Sequence, residues 1–198
     1  MKRFPWLTVT LVALCAAASL TSGAALEYDR AQVATGEIWR LLSGQFVHWT
    51  PRMAACDLGM LLGLGIWLEA RGDRRLAAAA LALGGGLTAF AVHALSPGLL
   101  VYRGSSGLAS ALFVLAALRV ADAPAKAAVV LFLAKAAFEA IAGQAVFAGP
   151  LPPGVCVVPL VHLLGGLGGL ICSRRIWEPS ALPWCPTPQQ DFSSGGGP

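Results

Sequence analysis

His162-Leu163-Leu164-Gly165-Gly166-Leu167-Gly168-Gly169 lies within an apolar run, residues 155–172, whose one titratable side chain besides two cysteines is the histidine. Such a run reads as a membrane-crossing helix with His162 in the half entered first. Gly165 and Gly169 fall three and seven residues after His162, so the three share one helical face, and a glycine face lets a neighbouring backbone approach closely. Tyr102-Arg103-Gly104-Ser105-Ser106-Gly107 offers a matching partner, because Gly104 and Gly107 flank a serine pair at the start of a second apolar run.

The chain of 198 residues is 57% hydrophobic and only 12% charged, with mean hydropathy +0.69. That is too apolar for a domain with a wetted surface and predicts an all-α membrane protein. At about 20 residues per span, the chain holds six. We expect them over residues 4–26, 53–70, 76–95, 104–118, 127–142 and 155–172. Residues 1–172 then form one six-helix membrane domain, and residues 173–198, rich in proline and ending in glycines, form a tail expected to be disordered in the cytoplasm.

Lys2 and Arg3, the apolar stretch after them and the small residues at 21–25 also fit a cleavable signal peptide. The stretch is long enough to cross, so a retained first span is expected. The net charge of +4 does not point to nucleic acid, since the basic residues stand singly or in pairs at the ends of apolar runs. With the N-terminus in the cytoplasm, Lys2, Arg3, Arg71, Arg74, Arg75, Arg119, Lys126, Arg174 and Arg175 face inward. Arg30, Arg40, Arg52 and Arg103 face outward, a bias in the sense of the positive-inside rule. The five cysteines include no C-x-x-C pair, and their odd number excludes a complete disulfide framework; a Cys56–Cys156 bridge on the outer side stays open.

In this topology the runs carrying Ser106 and His162 both enter from outside. At about 1.5 Å per residue, His162 sits roughly 10 Å below its helix start, and Ser106 reaches a similar depth if the loop before it dips inward. A serine hydroxyl becomes a nucleophile when a base takes its proton, which the two glycine-lined faces permit by close approach. Small-residue faces are also ordinary packing devices, and a membrane serine commonly bonds its own helix. The match in depth with a histidine is what points to chemistry.

The chain resembles the rhomboid family of intramembrane serine proteases. Gly104-Ser105-Ser106-Gly107 matches its G-x-S-G motif, and His162, Gly165 and Gly169 match its H-x-x-G-x-x-x-G motif. Trp39-Arg40 in the first outer loop and Glu69-x-Arg71 after the second expected span extend the similarity over nearly the whole helical core. The resemblance implies a six-helix rhomboid-like bundle with Ser106 as nucleophile, His162 as general base, and no metal or organic cofactor. It also implies membrane lipids and transmembrane protein substrates as partners, and places helix packing at the site on Gly107, Gly165 and Gly169.

Two features depart from the family pattern. Where many rhomboids have H-x-x-x-N, this chain has Met53 and Asp57, and an ionised Asp57 would repel an oxyanion. Gly104, Asp57 and His48 are therefore only candidate supports of the oxyanion, with the Ser106 N–H as a further donor. Ser110 stands where many rhomboids have an aromatic residue packed on the histidine. Together these features resemble the bacterial rhombosortase branch. That branch implies an inner-membrane protein with a periplasm-facing site and both termini cytoplasmic. It processes proteins ending in a Gly-Gly motif, a transmembrane helix and a basic end. Transfer of the new C-terminus to a lipid-derived amine is then an alternative to hydrolysis.

His48 lies among aromatic residues and is expected mainly as an anchor at the membrane interface. His93 has no carboxylate or cysteine at ligand spacing and is expected to be structural. Lys135 and Glu139, at i and i+4 in an apolar run, pair with each other or contact a polar element of substrate or lipid. Two other function classes fit less well. One is a non-catalytic rhomboid-like binder of client membrane helices, which would not need the serine and histidine. The other is a small helical transporter or haem-binding bundle using His48, His93 and His162.

Overall fold

The computed structural model describes residues 4–173 apart from 22, 148, 150, 153 and 154, so of the expected tail it includes Ser173 alone. Its chain is helical: α1 Trp6–Ser19, the short α2 Arg30–Ala34 and α3 Arg40–Ser43, then α4 Pro51–Ala70, α5 Arg74–His93, α6 Ser106–Val120, α7 Ala123–Ala142 and α8 Pro159–Ser173. The helix limits follow local chemistry. Thr50 caps α4 by accepting from the Met53 N–H at 3.1 Å, with Pro51 opening the helix. Asp122 caps α7 by accepting from Ala125 N–H at 2.8 Å, and Gly143, at φ +65°, ends it in the left-handed conformation.

Among the described residues, two helices, Pro51–Ala70 and Arg74–His93, are long and apolar enough to cross a membrane. The apolar α1, α6 and α8 are shorter, at 14, 15 and 15 residues. The 20-residue α7 carries Lys126, Lys135 and Glu139. The last expected span starts later than its hydropathy suggests, because residues 155–158 are non-helical and α8 begins at Pro159. His162 therefore lies in the first turn of its helix, about 5 Å from its start rather than about 10 Å.

At the centre stands α6, buried at every position from Gly107 to Leu112 and again over Val114–Ala116. It contacts α4, α5, α7 and α8. The α6–α8 contact is backbone on backbone: a methyl on Gly165 would overlap the Gly107 carbonyl oxygen, and one on Gly169 would overlap that of Ala111. Equal steps along both chains, 107 to 111 and 165 to 169, mean that the two helices run parallel. α5 closes the other side, where Gly84 meets Gly168 and Thr88 meets Gly107. α7 is peripheral, burying only Ala136 and Glu139 and exposing Val130, Leu131, Leu133, Phe138 and Ile141.

Ion pairs gather the helix ends opposite the site. Glu69 accepts from the Thr8 N–H at 2.8 Å and from Arg74 Nε at 2.7 Å, tying α1, α4 and α5 together. Arg119 at the end of α6 reaches Asp73 at 3.1 Å. Arg71, the second member of the Glu69-x-Arg71 pattern, stacks on Trp67 instead, 4.7 Å from the ring centre.

At the other end, a two-residue antiparallel ladder pairs Tyr28 with Tyr102 and Asp29 with Val101. Gly44 lets this ladder pass close by, since a side chain there would strike the Tyr28 nitrogen and Tyr102 oxygen. Arg30 donates to the carbonyls of Val92, His93, Ser96 and Leu99, gathering the end of α5 and the loop beyond it. Arg40, buried, donates to Ala24 and Glu27 carbonyls. The segment leading into α6 is thus held from several sides before Ser106 is reached.

Candidate active site

Ser105 and Ser106 are adjacent but face different surroundings. Ser105 stands at the N-cap position of α6, is fully buried, and makes no capping hydrogen bond. Its hydroxyl instead bonds His48 Nε2 at 3.0 Å, and His48 Nδ1 bonds the Ser19 hydroxyl at 3.0 Å. Ser106, partly exposed, lines a cavity of about 560 Å³ between α4, α6, α7 and α8. Of the two serines, only Ser106 is reachable by a ligand.

His162 lines the same cavity, together with Asp57, Ser110, Lys135 and Glu139. The glycine contacts bring His162 and Ser106 to one wall: Ser106 precedes Gly107 by one residue, His162 precedes Gly165 by three, and those glycines touch. The helix-packing assignments to Gly107, Gly165 and Gly169 describe the contact that is present. Ser110, in place of an aromatic residue, donates its hydroxyl to the Ser106 carbonyl at 2.7 Å.

Because Ser105 turns away to His48, the first-turn N–H groups of α6 lack a side-chain cap. An uncapped helix start leaves backbone donors and the positive end of the helix dipole beside Ser106, which lines the cavity. Gly104, expected among the oxyanion supports, has both backbone groups engaged. Its N–H donates to Gly44 at 3.1 Å, and its carbonyl accepts from the Tyr102 hydroxyl at 2.9 Å. Its φ of +143° and the Met53 side chain pressed against it explain why this position is glycine.

His48 is a correction to the expected interface anchor: it is buried, bonded on both ring nitrogens, and 3.5 Å from Asp57 Oδ2. The aromatic neighbours predict a place at the membrane interface, but the ring lies between Ser105 at the start of α6 and Ser19 at the end of α1. Asp57 borders the cavity with its carboxylate toward His48. His93 accepts or donates one bond, to the Tyr28 hydroxyl at 3.2 Å, in a structural setting. Cys56 and Cys156 are free thiols, as are Cys15 and Cys172.

Glu139 is the residue whose part the sequence left least defined. It pairs with Lys135 at 2.8 Å as its spacing predicts, but it also accepts from the Val146 N–H at 3.0 Å and stands 3.1 Å from His162 Nδ1. Its contact with His162 joins two helices, which pairing at i and i+4 alone could not reveal. Tyr102 was also not singled out. Burial, reinforced by the charge of Asp57, raises its hydroxyl above the ordinary tyrosine range, an effect partly offset by the Ser106 hydroxyl. The proton stays on, and it is this proton that holds Gly104. Its place two residues before the G-x-S-G stretch is the available signal.

Among the described residues, no group of three or more histidine, cysteine or acidic side chains is placed to hold a metal ion. The chain matches no protein-family model and no curated protein.

Proposed function

We propose that this protein is an intramembrane serine endopeptidase in which Ser106 is the nucleophile and His162 the general base. The observation that carries the reading is the backbone contact of Gly107 with Gly165, which sets a reachable serine and a histidine on the wall of one apolar cavity. The motif resemblance to rhomboid proteases, and within them to the rhombosortase branch, points the same way.

In this mechanism, Ser106 Oγ attacks the scissile carbonyl as His162 takes the hydroxyl proton. Negative charge develops on the carbonyl oxygen, and in this reading it is received by the N–H groups at the start of α6, which carry no side-chain cap. Collapse of the tetrahedral intermediate expels the amine, which takes the proton from His162 and leaves Ser106 as an ester. Water, or an amine of lipid origin, then opens that ester with His162 again acting as base. Asp57, an acceptor when ionised, has no part in holding the oxyanion.

A bilayer setting is supported by the two long apolar helices and by the apolar side chains on the outside of the bundle, among them Ile66, Phe90, Leu131, Phe138 and Ile171. We assign the crossing segments to α1 and α4 through α8, with the Ser106 end toward the non-cytoplasmic face. A substrate helix must unwind to present an extended peptide bond, and Gly-Gly sequence lowers that cost by about 1 kcal/mol per glycine relative to alanine.

The test is co-expression with a membrane protein carrying a Gly-Gly tail, a transmembrane helix and a basic end. Wild type is expected to shorten it, and Ser106→Ala and His162→Ala to leave it intact. Undiminished processing by both variants would refute the dyad. The mass of the product C-terminus then separates hydrolysis from transfer to an amine.

A further inference from the structure

Among its residues with described side chains, α7 buries only Ala136 and Glu139. A peripheral, mostly apolar helix thus directs a carboxylate into the bundle, where its side chain is only 2% exposed. An isolated carboxylate there would be costly, so its partners indicate what stabilises it. Lys135 Nζ and the Val146 N–H, at 2.8 and 3.0 Å, hold it in place. Its remaining near neighbour is His162 Nδ1 at 3.1 Å. That nitrogen is buried and has no aligned hydrogen bond, so Glu139 is the acceptor nearest to satisfying it.

We infer that Glu139 is the positioning carboxylate of this site, completing a Ser106–His162–Glu139 triad in which Lys135 and the Val146 N–H fix the carboxylate. The inference rests on the proposed serine-protease reading and adds to it a third member drawn from α7. A carboxylate on Nδ1 keeps the proton on that nitrogen, which leaves Nε2 free to accept from the Ser106 hydroxyl. It also stabilises the imidazolium that forms during attack. The Nδ1 contact is not an aligned hydrogen bond in the resting protein; catalytic hydrogen bonds commonly tighten only with substrate bound.

The two-helix arrangement has a further consequence. Because α7 lies at the rim, any substrate helix that displaces it moves Glu139 relative to His162. Correct seating of α7 and activation of Ser106 are then linked through one carboxylate.

The test follows labelling of Ser106 by a fluorophosphonate in the full-length detergent-solubilised protein, as a function of pH. The other ionisable groups facing the cavity are Cys56, Asp57, Tyr102, Arg103, Lys135 and Cys156. Glu139→Gln is expected to slow labelling by about 10²- to 10⁴-fold and to move its pH midpoint downward, because the imidazolium loses its counter-charge. Lys135→Met, which leaves the carboxylate uncompensated, is expected to move the midpoint upward. Opposite displacements cannot arise from partial unfolding, which lowers amplitude without moving a midpoint. An unchanged rate and midpoint in Glu139→Gln would overturn the inference, as would displacement in the same direction by both variants. Labelling of Ser106→Ala at the wild-type rate would instead overturn the underlying protease reading.

Discussion

The backbone of Gly165 rests against the carbonyl of Gly107, closer than any side chain would allow. This contact sets the spacing between α6 and α8, and with it the relation of Ser106 to His162. Gly165→Val must push the helices apart, because the obstructing atom is backbone carbonyl and cannot rotate away. A displacement of about 1 Å costs on the order of 100-fold in rate. Substrate processing by Gly165→Val is therefore expected to fall by about that factor while the protein remains membrane-inserted, as measured by cleavage and by protein level in the membrane fraction.

Ser105 and Ser106 separate cleanly by substitution. Ser105 is fully buried and bonded to His48, so Ser105→Ala is expected to keep activity within a few-fold while losing about 1 kcal/mol of stability. His48→Phe removes partners from both Ser19 and Ser105 and is expected to cost about 1–3 kcal/mol. Thermal unfolding in detergent measures both.

Glu69 tests whether the opposite end of the bundle matters to chemistry. It joins Thr8 and Arg74, while the cavity lies at the far end. Glu69→Gln keeps an acceptor for the Thr8 N–H but loses the charge toward Arg74. The expected loss is about 1–3 kcal/mol of stability with little change in cleavage rate per folded molecule. Arg74 is partly exposed and can be rehydrated, which places the effect toward the lower end.

Alkaline pH provides a check on Tyr102. Burial raises its hydroxyl above the ordinary value, so the unfolded chain releases this proton first, at about pH 10. Below that value the stabilisation is fully present; as pH rises toward the higher folded-state value it is lost. The melting temperature is expected to decline above about pH 10. Tyr102→Phe is expected to lessen the decline while lowering stability at neutral pH through the lost bond to Gly104.

The helical character and the α6–α8 contact were legible because small residues at three- and four-residue spacing have one economical use, close helix approach. The G-x-S-G match selects Ser106 over Ser105, and of the two it is Ser105 that is fully buried. Glu139 was visible as an ionisable residue in an apolar run, but periodicity relates it only to Lys135 on its own helix. Its contact with His162 depends on which helices are neighbours. Its depth was the remaining clue, since Glu139 near the end of α7 and His162 near the start of α8 lie toward the same end of the bundle. His48 was obscured for a similar reason: the turn at Gly44 and the Tyr28–Tyr102 ladder bury it by long-range folding that local composition does not encode.

Activation of the Ser106 hydroxyl by His162 can be read at the serine itself. The direct measurement is mass-spectrometric mapping of the residue modified when the purified protein reacts with a fluorophosphonate. One phosphonylated serine, Ser106, is expected, with modification lost in Ser106→Ala and strongly slowed in His162→Ala. Modification at Ser105 or elsewhere with Ser106 untouched, or labelling of Ser106 that does not depend on His162, would contradict it.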